Sequence, residues 1–430
     1  MSPGSGVVVV GAGQAAVQLA ESLREAGFTG PVTLVGEEPR PPYQRPPLSK
    51  EYLAGKVTPE DLVLRGEWFY ADRGVELLVG RRAVHLDRAG RRLTLDDGAV
   101  LSYGHLVLAT GARPRPLPIP GADLDGVGNL HTLGDAQELR ERMESARDVV
   151  VIGAGFIGLE FAAACGAGGV SPVVLDVAGQ VMGRAVSAPV AAHFAERHQR
   201  NGTRLLLGRT PVELTGRGGK VGAVRLADGE SLPADMVVTG IGVLPNVELA
   251  EAAGLETADG IVVDQYLRTA DPAVSAIGDC AAFPDPRGVG RIRLESVQNA
   301  ADQARCLAAA LTGTARPYTT LPWFWSYQGD LRLQIAGLST GHDHTVVRGE
   351  PDEGFSVFCF REGSLVAVES VNRAPDHMAA RRLLTAGIRV TPDDLSDPGF
   401  SLRTQLTRAA ATPARHQPRN RGTPSGTGAA

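Results

Sequence analysis

Two short runs of aliphatic residues, each followed by glycines and then by a helical pattern, organise the first part of the chain. The first run covers residues 7–10 and the second covers residues 149–152. Each run has the length of a strand, and the apolar residues after the glycines recur at helical spacing. A further apolar run follows each helix, at 32–35 and 173–175. The pattern predicts two strand–helix–strand units of the same plan, typical of an α/β fold.

The rest of the profile predicts three more buried strands, one long helix and a C-terminal change of pattern. Residues 37–50 contain five prolines, but also Tyr, Arg and Leu, which favours an ordered loop over a linker. Alternating hydrophobicity after about residue 322 predicts a small α+β domain. Residues 407–430 contain no large apolar residue and are predicted to form a disordered tail. The buried strands are expected at 106–109, 236–239 and 274–277, and the helix at 293–312.

The composition excludes several functional classes. With 430 residues, of which 43% are hydrophobic, the chain is long enough for several domains with large cores. Its net charge of −5 argues against nucleic-acid binding, and its apolar runs are too short to span a membrane. The first strand begins at Val7, so no signal peptide is expected. The four cysteines lack Cys-x-x-Cys spacing, which fits a reducing cytoplasm; they are Cys165, Cys280, Cys306 and Cys359.

The residues between strand and helix carry the first chemical information. They read Gly-x-Gly-x-x-Ala at 11–16 and Gly-x-Gly-x-x-Gly at 153–158. The first glycine permits a tight turn, the second lets a pyrophosphate approach the backbone, and the third position must be small so that helix and strand touch. Free N–H groups at the helix start then face the phosphates. Two copies predict two dinucleotide sites and electron transfer between two nucleotides. The glycines are Gly11 and Gly13 in the first motif, and Gly153, Gly155 and Gly158 in the second.

Each motif is followed by an acidic residue at the end of its second strand. Glu37 lies 26 positions after Gly11, and Asp176 lies 23 positions after Gly153. Such a carboxylate binds a ribose hydroxyl, although either residue alone could simply begin a solvated loop. At Asp176 a carboxylate would repel the 2′-phosphate of NADP, and no arginine occupies positions 177–183, Arg184 being the nearest basic residue. NADH is therefore the expected cofactor of the second motif.

Four other residues each allow two interpretations. From the residues alone, Lys50 is best interpreted as solvated and Glu160 as a first-turn acid favoured by the helix dipole. Asp279 either caps a helix or binds a ligand. Trp325 fits core packing.

Further clusters are interpreted as structural. The segment His342-Asp343-His344 lacks a third spaced ligand, which favours a polar turn over a metal site. Cys280 is interpreted as a packed thiol. Two arginine groups fit solvated faces, with docking of an acidic partner as the alternative; they are Arg381 with Arg382, and Arg287 with Arg291 and Arg293.

The order of motifs resembles one known family, the FAD-dependent NADH:ferredoxin reductases of bacterial oxygenase systems. The resemblance covers about residues 7–405. Its most specific segments are Arg45-Pro46-Pro47-Leu48-Ser49-Lys50 and Trp323-Phe324-Trp325-Ser326. The other matching segments are Ala109-Thr110-Gly111, Gly242-Val243-Leu244-Pro245-Asn246, Gly278-Asp279 and Glu295-Ser296-Val297-Gln298-Asn299-Ala300.

The resemblance implies a glutathione-reductase-like α/β fold with two Rossmann-type dinucleotide-binding domains and a C-terminal α+β domain. An FAD domain would comprise residues 1–113 and 242–318. An NADH domain would comprise residues 114–241. The C-terminal domain would cover residues 319–406.

The resemblance also implies the sites. Lys50 would lie at the flavin with Glu160 as its partner, where its ammonium would stabilise negative charge on the reduced ring. Ala83 would contact adenine through its backbone, and Trp325 would lie beside the flavin, towards the electron acceptor. The implied FAD residues are Gly11, Gly13, Ala15 at the pyrophosphate, Glu37 at the ribose, Lys50, Ala83, Ala109, Thr110, Gly111, His131, Asp279 at the ribitol–phosphate chain, Val297 at the isoalloxazine edge, and Trp325. The implied NADH residues are Gly153, Gly155, Ile157, Gly158, Asp176 and Gly242.

The implied activity is electron transfer from NADH through FAD to an iron–sulfur ferredoxin, which supplies a haem-thiolate monooxygenase or a Rieske dioxygenase. A cytoplasmic monomer or weak homodimer is expected. One alternative is a redox-sensing flavoprotein resembling apoptosis-inducing factor, and another is an NADH oxidase without a cysteine redox centre. Disulfide reductases and peroxidases of this fold need a cysteine near the flavin, and residues 1–164 contain none.

The chain departs from the family at two positions. His131 replaces an arginine that many members carry before Thr-Leu, and a neutral imidazole is expected to hold the phosphate or ribitol of FAD less firmly. Tyr327 replaces an aspartate after Trp-Ser, which bears on partner choice.

Overall fold

The computed structural model describes residues 6–183, 185–288 and 290–411. The strands, in chain order, are β1 (Val7–Val10), β2 (Val32–Gly36), β3 (Val75–Val79), β4 (Ala83–Asp87), β5 (Arg92–Leu95), β6 (Val100–Ser102), β7 (His105–Leu108), β8 (Ala112–Pro114), β9 (Val127–Asn129), β10 (Val149–Ile152), β11 (Val173–Asp176), β12 (Arg204–Leu207), β13 (Pro211–Arg217), β14 (Lys220–Leu226), β15 (Ser231–Pro233), β16 (Met236–Thr239), β17 (Val243–Pro245), β18 (Thr257–Ala258), β19 (Gly260–Val262), β20 (Val274–Ala276), β21 (Ala281–Pro284), β22 (Arg291–Ile292), β23 (Trp323–Gln328), β24 (Leu331–Gly337), β25 (His344–Glu350), β26 (Gly354–Arg361) and β27 (Ser364–Val371).

The helices are α1 (Gln14–Glu25), α2 (Glu67–Asp72), α3 (Leu133–Met143), α4 (Phe156–Ala167), α5 (Ala188–Arg200), α6 (Glu248–Ala252), α7 (Val297–Leu311), α8 (Ala374–Thr385), α9 (Pro392–Ser396) and α10 (Leu402–Ala411). Short 3₁₀ helices occur at Pro46–Ser49, Glu60–Leu62 and Gly278–Cys280.

The first sheet has five parallel strands in the order β20-β7-β1-β2-β3. Its central strand, β1, is Val-Val-Val-Val and is buried along its whole length, as expected of a parallel strand covered on both faces. The chain leaves β1 towards β2 on one side and returns at β7 on the other. This reversal opens a crevice at the carboxyl end of β1, where nucleotides bind in such sheets. Because β20 belongs to this sheet, the sheet draws on two separate segments of chain.

The second sheet repeats this plan in the order β12-β11-β10-β16-β9, again with parallel pairing. Its central strand, β10, is also fully buried and leads through a glycine turn into α4. The two carboxyl-end crevices therefore arise from the same local sequence plan.

The C-terminal part is an antiparallel sheet in the order β23-β24-β27-β26-β25, with α8 packed on it and α10 packed against α8. The predicted architecture of two parallel α/β units and a C-terminal α+β unit is confirmed. The proposed domain limits at residues 113, 242 and 318 stay predictions.

The C-terminus differs from the sequence-based expectation in one respect. Helix α10 runs to Ala411, so residues 407–411 are helical where the disordered tail was expected to begin. Leu402 and Leu406 pack against the core of the C-terminal unit, and this contact carries the helix beyond the last large apolar residue. Residues 412–430, the rest of the expected tail, lie outside the described residues.

Within the described ranges, none of the helices combines the length and the apolar character that crossing a membrane requires.

Candidate functional site

The first glycine turn is closed against the neighbouring strand and open towards the crevice. Gly11 has φ +112°, and a Cβ there would lie 2.0 Å from the carbonyl oxygen of Ala109. A Cβ on Gly13 would meet nothing within 4 Å, so the second glycine leaves free space at the start of α1. No side chain caps α1, whose first N–H groups therefore remain available to an anion. Ala15 sits in this first turn, and a Cβ on Gly278 would approach its Cβ to 3.3 Å.

The strand ends beside this turn supply polar groups. Two hydrogen bonds join Thr110 to Asn246. The Thr110 hydroxyl donates to the backbone oxygen of Asn246 at 2.6 Å, and the side-chain amide of Asn246 donates to the backbone oxygen of Thr110 at 2.8 Å. A Cβ on Gly111 would point into open space. Together Gly11, Ala109, Thr110 and Gly111 form one wall of the crevice.

Asp279 lies in the 3₁₀ helix that follows β20. Burial, with the charge of Glu295, raises the pKa of Asp279 to about 7. Asp279 is half-buried, and among the described residues no donor hydrogen-bonds its carboxylate, so the carboxylate can accept a hydrogen bond from a ligand. A ligand hydroxyl would satisfy it. Gln303 positions this turn, because its Oε1 accepts the Gly278 N–H at 2.7 Å.

Four further predicted FAD residues lie on separate elements. Glu37 follows β2 and is exposed, with the guanidinium of Arg82 at 3.8 Å. Ala83 begins β4, and Val297 begins α7. Trp325 lies on β23. No contact in the described part of the chain joins these four residues to one another. They can belong to one site only if a single ligand is long enough to reach all of them.

His131 precedes the capped start of α3. The guanidinium of Arg45 donates to its backbone oxygen at 2.6 Å. Burial, followed by the charge of Arg45, lowers the pKa of His131 to about 4. The imidazole is therefore neutral near pH 7, and Arg45 is the cation beside it. The positive charges of Arg293 and Arg45 oppose the rise of the Asp279 pKa without cancelling it.

The second glycine turn is packed more tightly than the first at its third position. Gly153 again has φ +112°, and its Cβ would lie 2.4 Å from the oxygen of Gly240. A Cβ on Gly158 would lie 2.0 Å from the oxygen of Gly153, so the third position admits only glycine. Gly155 begins α4 without a side-chain cap, and Ile157 is 42% exposed on the first turn. A Cβ on Gly242 would meet nothing within 4 Å, and its backbone has φ +96°.

Asp176 ends β11 beside this turn. One carboxylate oxygen accepts the Ala154 N–H at 2.7 Å and the other accepts the Ala178 N–H at 2.8 Å. The carboxylate is therefore fixed against the glycine turn, with lone pairs left for a ribose hydroxyl. The sequence showed no signal for Arg209, whose backbone N–H bonds the Asp176 carbonyl. Its guanidinium is paired with Asp228 and Glu230. Arg184 lies outside the described residues.

Lys50 and Glu160 form a buried ion pair between the two units. Lys50 Nζ lies 2.5 Å from Glu160 Oε2, and the side chains are 13% and 3% exposed. Glu160 also accepts the hydroxyls of Ser49 at 2.5 Å and Ser326 at 2.6 Å. Three donors thus compensate one buried carboxylate. The sequence-based interpretation of Lys50 as solvated does not hold in the structure. Ser49 and Ser326 belong to the Arg-Pro-Pro-Leu-Ser-Lys and Trp-Phe-Trp-Ser segments. Their role as donors to Glu160 depends on contacts between distant parts of the chain, which the sequence alone does not show.

Strand β23 presents alternate side chains to two faces. Trp323 and Trp325 share one face, with ring centroids 5.4 Å apart. Phe324 lies on the other face, where its ring is 4.6 Å from Phe156 of α4. Ser326 follows on that same face and reaches Glu160. The Trp-Phe-Trp-Ser motif therefore joins the C-terminal sheet to the buried ion pair.

Most of the arginines considered for docking have internal partners. Arg287 pairs with Asp285, Arg291 donates to the Val263 carbonyl, and Arg293 pairs with Asp259 and Glu295. Arg381 differs, because its guanidinium lies 4.1 Å from the ring centre of Trp323.

Two other candidates have structural roles. The Sγ of Cys280 is buried and points to backbone carbonyls, consistent with a packed thiol. His342 Nδ1 bonds the Ser339 carbonyl in a turn. In the described ranges no group of three or more His, Cys, Asp or Glu side chains could hold a metal ion.

Comparison with known proteins agrees with this geometry. Residues 5–304 match the pyridine nucleotide-disulphide oxidoreductase family, and residues 323–406 match the reductase C-terminal family. The chain is 48% identical over 403 residues to rhodocoxin reductase of Rhodococcus erythropolis, covering 94% of each chain.

Two solved structures are also similar. The ferredoxin reductase for the CYP199A2 system from Rhodopseudomonas palustris has a TM-score of 0.92 at 50% identity, covering 94% of this chain and 100% of the other. The covalent putidaredoxin reductase–putidaredoxin complex has a TM-score of 0.91 at 39% identity, covering 95% and 99%.

Two dinucleotides fit the glycine turns, the Asp176 carboxylate fixed by backbone N–H groups, and the Asp279 carboxylate, which has no donor among the described residues. The matches agree with this fit. The chain therefore belongs to the pyridine nucleotide-disulphide oxidoreductase family, whose members use FAD and NAD(P)H, and it carries the reductase C-terminal domain.

Proposed function

We propose that the protein passes electrons from NADH to a small iron–sulfur ferredoxin that supplies an oxygenase. The observation that carries the proposal is the Lys50–Glu160 ion pair, in which Lys50 meets the helix that follows the second glycine turn. The names of the similar reductases support the ferredoxin as acceptor. When bound, FAD supplies the chemistry that converts hydride transfer into single-electron transfer.

The first crevice is proposed to hold FAD. Gly13 and Ala15 would receive the pyrophosphate at the start of α1, and Glu37 would bind the adenosine ribose. Asp279 would bind the ribitol–phosphate chain, which matches the absence of any donor to its carboxylate among the described residues. Val297 would approach the ring edge with the N–H groups at the start of α7.

Lys50 is proposed to place a cation beside the flavin. Its ammonium is oriented by Glu160, the Pro46 carbonyl and the Ser49 hydroxyl. A cation fixed before the reaction needs no reorganisation as negative charge develops on the ring. Glu160 acts through Lys50 and is a positioning residue in this proposal.

The second crevice is proposed to prefer NADH. Asp176 is held by two backbone N–H groups and would accept the adenosine 2′-hydroxyl. The neighbouring Arg209 is committed to Asp228 and Glu230, so its charge is not free for a 2′-phosphate. Gly153, Gly155, Ile157, Gly158 and Gly242 are the proposed backbone contacts.

Placement in a reducing cytoplasm belongs to the same proposal and is supported by the four free cysteines.

The proposal is tested by coupling NADH oxidation to cytochrome c through added ferredoxin. We expect NADH to reduce the bound flavin without oxygen, and putidaredoxin or rhodocoxin to raise cytochrome c reduction far above the ferredoxin-free rate. Rapid oxygen consumption that neither ferredoxin changes would indicate an NADH oxidase instead. A long-lived reduced complex with NAD that neither ferredoxin reoxidises would indicate a redox sensor.

A further inference from the structure

A buried line of hydrogen-bonded polar side chains continues from the Lys50–Glu160 pair to α5. Ser326 Oγ donates to Glu160 Oε1 at 2.6 Å, and Gln328 Nε2 donates to Ser326 Oγ at 3.2 Å. His198 Nε2 lies 2.8 Å from Gln328 Oε1. Ser326, Gln328 and His198 are at most 4% exposed. The line joins α4, β23 and α5.

The hydrogen-bond directions along this line follow from its last member. Burial lowers the pKa of His198, so its imidazole is neutral at pH 7. Gln328 accepts through Oε1, which requires the proton of His198 on Nε2. The amide nitrogen of Gln328 is then directed to Ser326. Because an oxygen lone pair of Ser326 is occupied by this bond, its own hydrogen is directed to Glu160.

We propose that His198 and Gln328 are positioning residues that fix the orientation of Glu160 and thereby the charge that Lys50 presents to the flavin. This inference rests on the proposed function of Lys50. Neither residue belongs to a glycine motif, and both lie outside the segments that suggested the site. They act through Ser326 and contact neither proposed cofactor in this assignment.

The direction in which the flavin potential should change follows from how the charge of Glu160 is compensated. With three donors, the carboxylate draws only part of its compensation from Lys50. If the Ser326 hydroxyl no longer donated to Glu160, the carboxylate would attract the Lys50 ammonium more strongly. The positive potential that Lys50 produces at the flavin would then be weaker. Reduced flavin would then be less stabilised, so the flavin potential would fall.

The test measures the two-electron potential of bound FAD in the intact flavoprotein by anaerobic dye equilibration. We expect Gln328→Leu and His198→Leu each to lower the equilibrium constant for flavin reduction about fivefold, or about 20 mV for a two-electron couple. His198→Gln keeps a donor for Gln328 and should restore the wild-type potential. In a Lys50→Met background, Gln328→Leu should produce no further shift, because the pair it acts on is gone.

His105→Leu provides a matched control. His105 is also buried and bonds Ser275 Oγ at 3.0 Å, but it has no bond to the Glu160 line. It should cost stability without moving the potential.

An unchanged potential in Gln328→Leu, while Lys50→Met lowers it, overturns this inference and leaves the proposed function standing. An unchanged potential in Lys50→Met overturns both. An equal shift in His105→Leu shows a general effect of core damage and overturns the positioning role.

Discussion

Two carboxylates that are proposed to act at the flavin site differ in how their oxygens are paired. Glu160 is buried and compensated by three donors, whereas Asp279 has none among the described side chains and backbone groups. An unpaired carboxyl of this kind costs stability until a ligand satisfies it. In the proposed assignment, Asp279 is therefore a residue at which stability and cofactor binding oppose each other.

Substitution of Lys50 is expected to slow the reductive half-reaction. Lys50→Met removes the cation next to developing negative charge, which is worth about 2–4 kcal/mol, or roughly thirty- to a thousandfold in rate. Stopped-flow reduction by NADH, before any ferredoxin is added, measures this directly. If flavin reduction is unchanged and only ferredoxin turnover falls, Lys50 is a docking residue.

Substitution of Asp279 is expected to weaken flavin binding and to stabilise the flavin-free protein. Its pKa of about 7 in the folded protein exceeds the unfolded value, so the native state binds more protons between about pH 4 and 7. The free energy of unfolding of the flavin-free protein should therefore fall as pH rises through that window. Asp279→Asn should remove this dependence and stabilise flavin-free protein at pH 8 by about 2–4 kcal/mol.

The same variant should lose FAD on gel filtration while remaining folded. Chemical denaturation at pH 4.5 and pH 8 supplies the comparison. An identical pH slope in wild type and Asp279→Asn would show that Asp279 is not the responsible group.

Asp176 is expected to set the cofactor preference. A buried 2′-phosphate beside this carboxylate would cost several kcal/mol, so kcat/KM for NADH should exceed that for NADPH at least roughly a hundredfold. Asp176→Asn should lower the ratio of kcat/KM for NADH to kcat/KM for NADPH. Equal efficiency of the wild type with both cofactors would show that Asp176 does not meet the ribose.

At the scale of elements, the two glycine turns share one plan but differ in tolerance. The first turn has Ala16 at its third position, whereas the second has Gly158 against the Gly153 carbonyl. The local sequence predicted both turns, because each turn requires a residue that can adopt a positive φ and a small residue a few positions later, and both requirements can be recognised within one short segment. Contacts between the elements, such as Arg209 beside Asp176, left no local signal.

Gly158→Ala is expected to damage the second crevice selectively. A methyl group 2.0 Å from a carbonyl oxygen must displace α4 from β10, at a cost of about 1–3 kcal/mol. NADH affinity should fall while FAD stays bound. Gly179→Ala is the control, since a Cβ there meets nothing within 4 Å. Unchanged NADH binding in Gly158→Ala would contradict the close packing.

At the scale of the whole molecule, buried carboxylates link the C-terminal sheet to the NADH unit. Glu369 of β27 is fully buried and accepts the backbone N–H and the hydroxyl of Ser187, the residue that precedes α5. Ser326 links β23 to Glu160 in the same way. Two side chains of the C-terminal sheet thus reach into the NADH unit.

Glu369→Ala is expected to destabilise the protein by about 2–4 kcal/mol, because it leaves the Ser187 groups buried without their acceptor. Glu369→Gln keeps one acceptor oxygen and should cost less. Denaturant midpoints measure both, and Glu350→Ala, at an exposed position of the same sheet, provides the control. Equal stability of Glu369→Ala and the control would exclude a structural role for this contact.

The two parallel units, both glycine turns, the acids at their strand ends and the family could all be predicted from the amino-acid sequence. These features are set by neighbouring residues, since strand length, backbone angle and helix start are local requirements. The folded structure was needed to show that Lys50 contacts Glu160, 110 positions away, and that Ser326 contacts Glu160, 166 positions away. Contacts of this kind depend on how distant segments pack against one another, and burial within the packed protein also raises the pKa of Asp279.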